Sequence, residues 1–211
     1  APVAKNALYL AGHKFNGQTE ILQKYLAHDG QHAEMLFVAG QFRVLLLTRH
    51  CALKDVTISK KMLVEKIKKL NNIFEEKFEI IPPKFALCAF NPHAGEDGIL
   101  GSEELEILNP AVKILQKKGI NITYPLPADT LFVEAAKKYY AEKKLPYDCY
   151  IANYHDQGLI PIKTVAGDKT VNMTIGLDII RTSPGHGTAF DIAGKNLADE
   201  TGMIEAIKAV L

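Results

Sequence analysis

The sequence predicts an α/β fold with substantial parallel strand pairing, and three observations carry that expectation. Short apolar runs at residues 44–47, 85–90, 150–152 and 171–175, each bounded by polar or turn residues, have the length and continuity of strands buried on both faces. Between them lie longer stretches, 21–26, 58–74, 105–118, 130–143 and 201–210, whose apolar residues recur at spacings near three and four, the period of an amphipathic helix. Strand and helix patterns that alternate along one chain place helices over a sheet with parallel neighbours. A chain of 211 residues that is 47% hydrophobic has enough apolar mass to fill such a core.

In chain order, residues 1–5 begin at a strand end or loop with no element before them, which reads as a chain lacking an earlier segment. Ser59 is placed to cap the 58–74 helix and Ser102 the 105–118 helix, and Gly119 is placed to stop the latter. No internal repeat or low-complexity segment interrupts the pattern. Twenty-five Lys and Arg against 24 Asp and Glu leave a net charge of +1, so bulk charge offers no attraction to nucleic acid or to a membrane surface. An anionic substrate must therefore be caught locally.

Cys51, Cys88 and Cys149 are odd in number and far apart, and read as buried thiols of a reducing compartment. No stretch approaches the roughly 18 apolar residues of a membrane span, and the N-terminus lacks a signal-peptide pattern. The expectation is a soluble cytoplasmic protein.

Ligands of α/β folds gather at the carboxyl ends of strands, so polar clusters that follow apolar runs are the candidates for chemistry. The first, residues 91–98, concentrates His93, Glu96, Asp97 and two glycines; the second, residues 154–158, holds His155 and Asp156. Either histidine alone is more often structural, whereas two on loops at neighbouring strand ends suit a shared divalent metal, with Asp97 or Asp156 as a ligand or behind one. A third cluster comprises Lys163, Asn172 and Arg181, with Arg181 directly after the apolar Ile179 and Ile180; a lysine and an arginine converging on one pocket make a phosphate or carboxylate clamp. A surface lysine taken singly is more often only solvated charge. Residues 183–194 are rich in glycine and hydroxyls, as a loop approaching a ligand requires. Neither the dinucleotide G-x-G-x-x-G fingerprint nor a P-loop is present, so any nucleotide binds outside the Rossmann manner.

The strings NPHAGE at 91–96, PLPADT at 125–130, YHDQGL at 154–159, NMTIGL at 172–177, IRTS at 180–183 and HGTA at 186–189 resemble, in order, those of the 4-hydroxythreonine-4-phosphate dehydrogenase family. The resemblance implies an isocitrate/isopropylmalate dehydrogenase-like fold, with two α/β/α domains around a cleft, usually as a homodimer whose metal sites are shared. It implies oxidation of 4-phosphooxy-L-threonine with NAD or NADP, then decarboxylation to 3-amino-2-oxopropyl phosphate in pyridoxine 5'-phosphate synthesis. Motif by motif, His93 and His155 fall on metal-ligand positions, with His155 and Lys163 also in catalytic roles. Lys163, Asn172 and Arg181 fall on substrate-binding positions. His186, Gly187, Thr188 and Ala189 resemble the loop that holds the adenosine half of the cofactor.

Two departures from the family pattern stand out. Gln18 occupies the position read as a third metal-ligating histidine, and its amide oxygen favours a hard ion such as magnesium over zinc or cobalt. His13 is the alternative donor. The second departure is a missing N-terminal segment that in the family adds a His-Thr pair to the substrate site. The expected division places residues 1–180 in the metal- and substrate-binding domain, with 181–211 returning to the cofactor domain. Rival readings are a dehydrogenase of phosphorylated threonate or erythronate, a non-catalytic homologue that has lost its metal, and, more weakly, a phosphate acetyltransferase.

Overall fold

A computed structural model describes residues 3–15 and 17–210. In chain order the regular elements are α1 (Lys5–Leu10), α2 (Gln18–Leu26), β1 (Glu34–Ala39), β2 (Phe42–Leu46), α3 (Lys60–Lys77), β3 (Lys84–Leu87), α4 (Asn109–Lys117), β4 (Asn121–Ile122), α5 (Ala128–Tyr140), β5 (Cys149–Ala152), α6 (His155–Ala166), β6 (Val171–Ile175), β7 (Arg181–Pro184) and α7 (Thr201–Lys208). They fall into two compact units: Ala1–Gly40 with Ala166–Leu211, and Gln41–Val165. The boundary expected at residue 180 divides the chain by ligand role and lies within the first unit, between β6 and β7.

The unit at Gln41–Val165 is the α/β layer the sequence predicts. Its strands run in the order β4-β3-β5-β2 and every pairing is parallel. Parallel strands covered by helices are buried on both faces, which is why Val44 to Leu47, Phe85 to Ala89 and Cys149 to Ala152 form unbroken apolar runs with almost no exposure. Helix α3 turns Leu63, Ile67, Leu70 and Phe74, spaced by four, three and four, onto this core. The Phe74 ring meets Phe85 edge-on at 5.4 Å between centroids, so Phe74→Ala would cost on the order of 3–5 kcal/mol.

Capping chemistry explains two of the three expected boundaries. Ser59 accepts a hydrogen bond from the Met62 amide and starts α3. Gly119 takes a φ of 82° immediately after α4 and ends it. Ser102, by contrast, gives no side-chain cap: its carbonyl accepts the Glu106 amide, and the helix opens with a π-helical turn at Glu104–Leu108.

In the other unit β6 is flanked by β1 and β7, antiparallel to both. Strand β1 and helices α1 and α6 are among the elements that apolar pattern alone leaves unassigned. Helix α6 contains Gly158 and Pro161, both poor helix residues. Gly158 is nonetheless demanded by packing, since a Cβ there would lie 2.7 Å from Leu46 Cδ2, 2.8 Å from Val44 Cγ1 and 2.9 Å from Ala152 Cβ. Cys88 and Cys149 are buried as expected, but Cys51 is exposed, because it follows β2 into a surface loop rather than an apolar run. Among the described residues no helix is long and apolar enough to cross a membrane.

Candidate functional site

The carboxyl ends of β2, β3 and β5 each lead to a histidine: His50, His93 and His155. Adjacent parallel strands bring their ends together, and a set of buried hydrogen bonds fixes them. The Asn153 carbonyl, just beyond β5, accepts both the Thr48 hydroxyl at 2.7 Å and the Thr48 amide at 3.2 Å, tying down the end of β2. Asn153 Nδ2 donates to the Cys88 carbonyl at 2.9 Å, tying β5 to the end of β3. Gln157 completes the lattice: its Oε1 accepts the Asn153 amide at 2.8 Å, and its Nε2 donates to the Ala89 carbonyl at 2.7 Å. Asn153 is fully buried, so each lost bond would leave a desolvated polar group, costing about 1–3 kcal/mol.

The backbone beyond β3 then does something unusual. His93, Ala94, Glu96 and Asp97 have φ between 43° and 55°, and Gly95 stands among them at 79°, so the chain makes a left-handed turn. A side chain there costs on the order of 1–2 kcal/mol per residue, which surrounding contacts must offset. The contacts come from Glu104, which is 3% exposed. Its Oε1 accepts the Phe90 amide at 2.7 Å and the Asn91 amide at 2.8 Å, and its Oε2 accepts Asn91 Nδ2 at 2.9 Å. Asn91 Nδ2 also donates to Glu103 Oε2 at 2.6 Å. Glycine is required on both sides of this knot: a Cβ at Gly95 would lie 2.8 Å from Glu104 Oε2, and one at Gly101 only 2.3 Å from Asn91 Nδ2.

His155 differs from its expected setting in one respect, since it opens α6 rather than sitting on a loop. Its Nδ1 bonds the Asp156 carboxylate at 2.7 Å. That contact fixes ring orientation and leaves Nε2 as the outward nitrogen, the arrangement common to metal-ligating histidines. The His50 ring stands 5.5 Å away, centroid to centroid, and both histidines line a pocket of about 400 Å³ with Arg49, Cys51, Tyr154 and Asp156. His50 was not among the residues singled out from sequence, yet it follows the apolar run 44–47 by the same rule that selected His93 and His155. Among the described residues no three His, Cys, Asp or Glu side chains gather into a group able to hold a metal ion. The imidazoles of His50 and His155 are nonetheless donors of the kind that bind a divalent metal.

Lys163 lies on α6, in the same unit as these histidines, and is exposed. Asn172 and Arg181 belong to the other unit. Arg181 pairs with Thr174 and Ser183 with Asn172 across β6 and β7, so all four side chains share one face of the ribbon. Among the described residues Asn172 Oδ1 and Thr174 Oγ1 are buried with no hydrogen-bond partner, as groups awaiting a polar ligand would be. Burial pulls the Arg181 guanidinium below its usual pKa range.

Residues 186–189 run exposed along a cavity of about 640 Å³, whose wall also includes Asp168, Asn196 and Asp199. The His186 Nδ1 contacts the Gly187 carbonyl at 2.8 Å, and Ala189 takes a left-handed conformation. The volume is typical of a small-molecule site. In the same unit Gln18 opens α2 and His13 is exposed after α1; Asn16, within the motif around Gln18, lies outside the described residues, as do Ala1 and Pro2.

A family model described as pyridoxal phosphate biosynthetic protein PdxA matches residues 1–210. A 4-hydroxythreonine-4-phosphate dehydrogenase of Bradyrhizobium diazoefficiens is 44% identical over 98% of this chain and 59% of its own length. A D-threonate 4-phosphate dehydrogenase of Cupriavidus necator is 41% identical over 99% of this chain and 60% of its own. The crystal structure of a 4-hydroxythreonine-4-phosphate dehydrogenase from Klebsiella pneumoniae matches with a TM-score of 0.81 and 36% identity, covering 100% of this chain and 62% of that one. Isocitrate dehydrogenase from Methylococcus capsulatus, at 13% identity and a TM-score of 0.58 over 99% of this chain and 74% of that one, shares the fold alone, which is the dehydrogenase-like class expected from the motifs. The chain thus spans 59–60% of the length of these curated relatives.

Proposed function

The chain belongs to the PdxA family of pyridoxal phosphate biosynthetic proteins, and from that premise we propose that the protein oxidises 4-phosphooxy-L-threonine with NAD or NADP and releases carbon dioxide, forming 3-amino-2-oxopropyl phosphate. The observation that carries the reading is the His50–His155 pair with the Asp156 carboxylate behind it, set at the carboxyl ends of the parallel strands.

In this reading His155, His50 and His93 are donors to a divalent metal such as zinc, magnesium or cobalt, at a site completed between two copies of the chain rather than within one. Gln18 keeps the third ligand position of the motif reading, and His50 is a further donor because its ring stands against that of His155. The protein acts as a cytoplasmic homodimer whose metal site is shared between two copies. When bound, the metal polarises the substrate hydroxyl and later the ketone, lowering the energy of developing negative charge. NAD or NADP, when bound, would supply the hydride acceptor.

The chain's own residues do the remainder. Arg181, partly buried on β7, binds the substrate phosphate, and Asn172 and Thr174 on the same face bond its oxygens. Lys163 takes the hydroxyl proton as the hydride leaves the carbon that bears that hydroxyl, and a proton then reaches the carbon vacated by carbon dioxide, so charge and atoms balance. The 186–189 loop holds the adenosine half of the cofactor against its cavity. Residues 1–180 thus contribute metal and most substrate contacts, and 181–211 return to the cofactor domain.

A second reading is favoured by the 41% identical D-threonate 4-phosphate dehydrogenase: the same oxidation acting on a substrate with a hydroxyl in place of the amino group. The deciding experiment follows NADH formation by absorbance with each substrate, with and without zinc, magnesium or cobalt. Metal-dependent turnover of 4-phosphooxy-threonine supports the first reading and exclusive turnover of the threonate phosphate the second; no turnover of either under any metal would overturn both.

A further inference from the structure

We propose that Glu104 is the positioning residue of the His93 turn, a role that rests on the reading of His93 as a metal ligand. The turn at 93–97 is left-handed and its histidine is exposed, so the backbone that carries the imidazole sets where it stands. Its fixed end is the pair of amides at Phe90 and Asn91, and both donate to one oxygen of the buried Glu104 carboxylate. The second oxygen receives Asn91 Nδ2, and the same amide nitrogen reaches Glu103. Three donors converge on one carboxylate away from solvent, where charge-assisted hydrogen bonds are roughly twice as strong as neutral ones.

The local sequence is shaped around this contact. Gly95 and Gly101 are the two positions where a Cβ would strike Glu104 or Asn91 at under 3 Å. The π-helical turn at Glu104–Leu108 begins at this residue, and the carbonyl of Ser102 rather than its side chain satisfies the opening amides. Glu104 touches neither metal nor substrate in this account. It acts through the backbone, holding the entry of the turn so that His93 is presented at the end of β3.

The test compares the protein with its Glu104→Gln and Glu104→Ala variants, using Glu103→Gln as control. Hydrogen exchange of the Phe90 and Asn91 amides reads the contact directly, the His93 ring resonances report the turn, and cobalt binding, followed by its visible absorption, reports the histidines. Glu104→Gln keeps an acceptor but loses the charge, and is expected to speed exchange at 90 and 91 by about threefold to tenfold, with a weaker cobalt affinity. Glu104→Ala is expected to exceed tenfold on both, with His93 resonances broadened, while exchange in β2 and β5 stays unchanged. Glu103→Gln, which alters only the second acceptor of Asn91 Nδ2, should leave exchange at the Phe90 and Asn91 backbone amides near that of the parent. Unchanged exchange at 90 and 91 in Glu104→Gln overturns the proposal, and that variant decides the matter if Glu104→Ala does not fold. If the parent protein takes up no cobalt, the metal reading fails, and exchange with the His93 resonances still judges the role of Glu104.

Discussion

The imidazoles of His50 and His155 stand 5.5 Å apart, centroid to centroid, though 105 positions separate them in the chain. Parallel pairing of β2 with β5 makes them neighbours, and the Thr48–Asn153 hydrogen bonds, two residues before each ring, hold them so. Replacing either by alanine is expected to lower kcat by more than about a hundredfold, as loss of a metal ligand does, with little change in melting temperature because both rings are at least partly exposed. Metal content of the purified variants and their steady-state kinetics check this together. Near-normal turnover with retained metal would remove both residues from the site.

Arg181→Ala should act on binding. If the guanidinium holds the substrate phosphate equally in ground and transition states, KM rises by roughly tenfold to a hundredfold while kcat changes little. A fall in kcat with KM unaltered would assign Arg181 to the chemical step instead.

The thiols offer a test of packing. Burial pushes the Cys149 pKa up to about 12 and that of Cys88 higher still, so neither presents thiolate at ordinary pH. Iodoacetamide at pH 8 should label native protein once, at Cys51, and denatured protein at all three positions. Mass spectrometry of the intact and digested protein reads the count, and labelling of Cys88 without unfolding would contradict the buried β3 and β5 ends.

Asp199 accepts the Thr201 hydroxyl and amide at the start of α7, and those bonds hold its carboxyl below its ordinary value of 3.8. A depressed carboxyl pKa contributes stability that is present above the unfolded value and is lost as pH falls through the folded one. Asp199→Asn should therefore melt below the parent at neutral pH, and the gap should close below about pH 4. A gap independent of pH would show that charge on Asp199 contributes nothing.

Gly158→Ala should destabilise despite the better helix propensity of alanine. The new methyl would meet Leu46, Val44 and Ala152 inside 3 Å, and overpacking of this kind costs about 1–3 kcal/mol. A rise in melting temperature would mean that α6 has room to move off the sheet.

These experiments probe features of unequal visibility in the sequence. The parallel strands were legible because burial on both faces writes an unbroken apolar run, and α3 because Leu63 to Phe74 keep helical spacing. Helix α6 was not, since Gly158 and Pro161 obey the sheet beneath and the backbone around them rather than propensity. His93 and His155 stood out through their dense polar neighbours. His50 follows Leu47 with only Thr48 and Arg49 between, a plain setting that hides it until β2 and β5 are paired. The left-handed turn at 93–97 was beyond reach, because Ala94, Glu96 and Asp97 give no local sign of positive φ and the carboxylate that secures the turn lies on the following helix.

The bonds joining Thr48, Cys88, Ala89, Asn153 and Gln157 all lie at the carboxyl ends of β2, β3 and β5, while α3 and α5 belong to the connections that lead into β3 and β5. The spacing of the three histidines in space is therefore independent of how many residues those helices contain. A turn gained or lost at the solvent end of α3, or in the stretch after Tyr140, shifts every later residue number and leaves the imidazoles where they were. Length drift in these connections is silent for the chemistry, whereas a single exchange at Asn153 or Gln157 is felt at two strand ends at once.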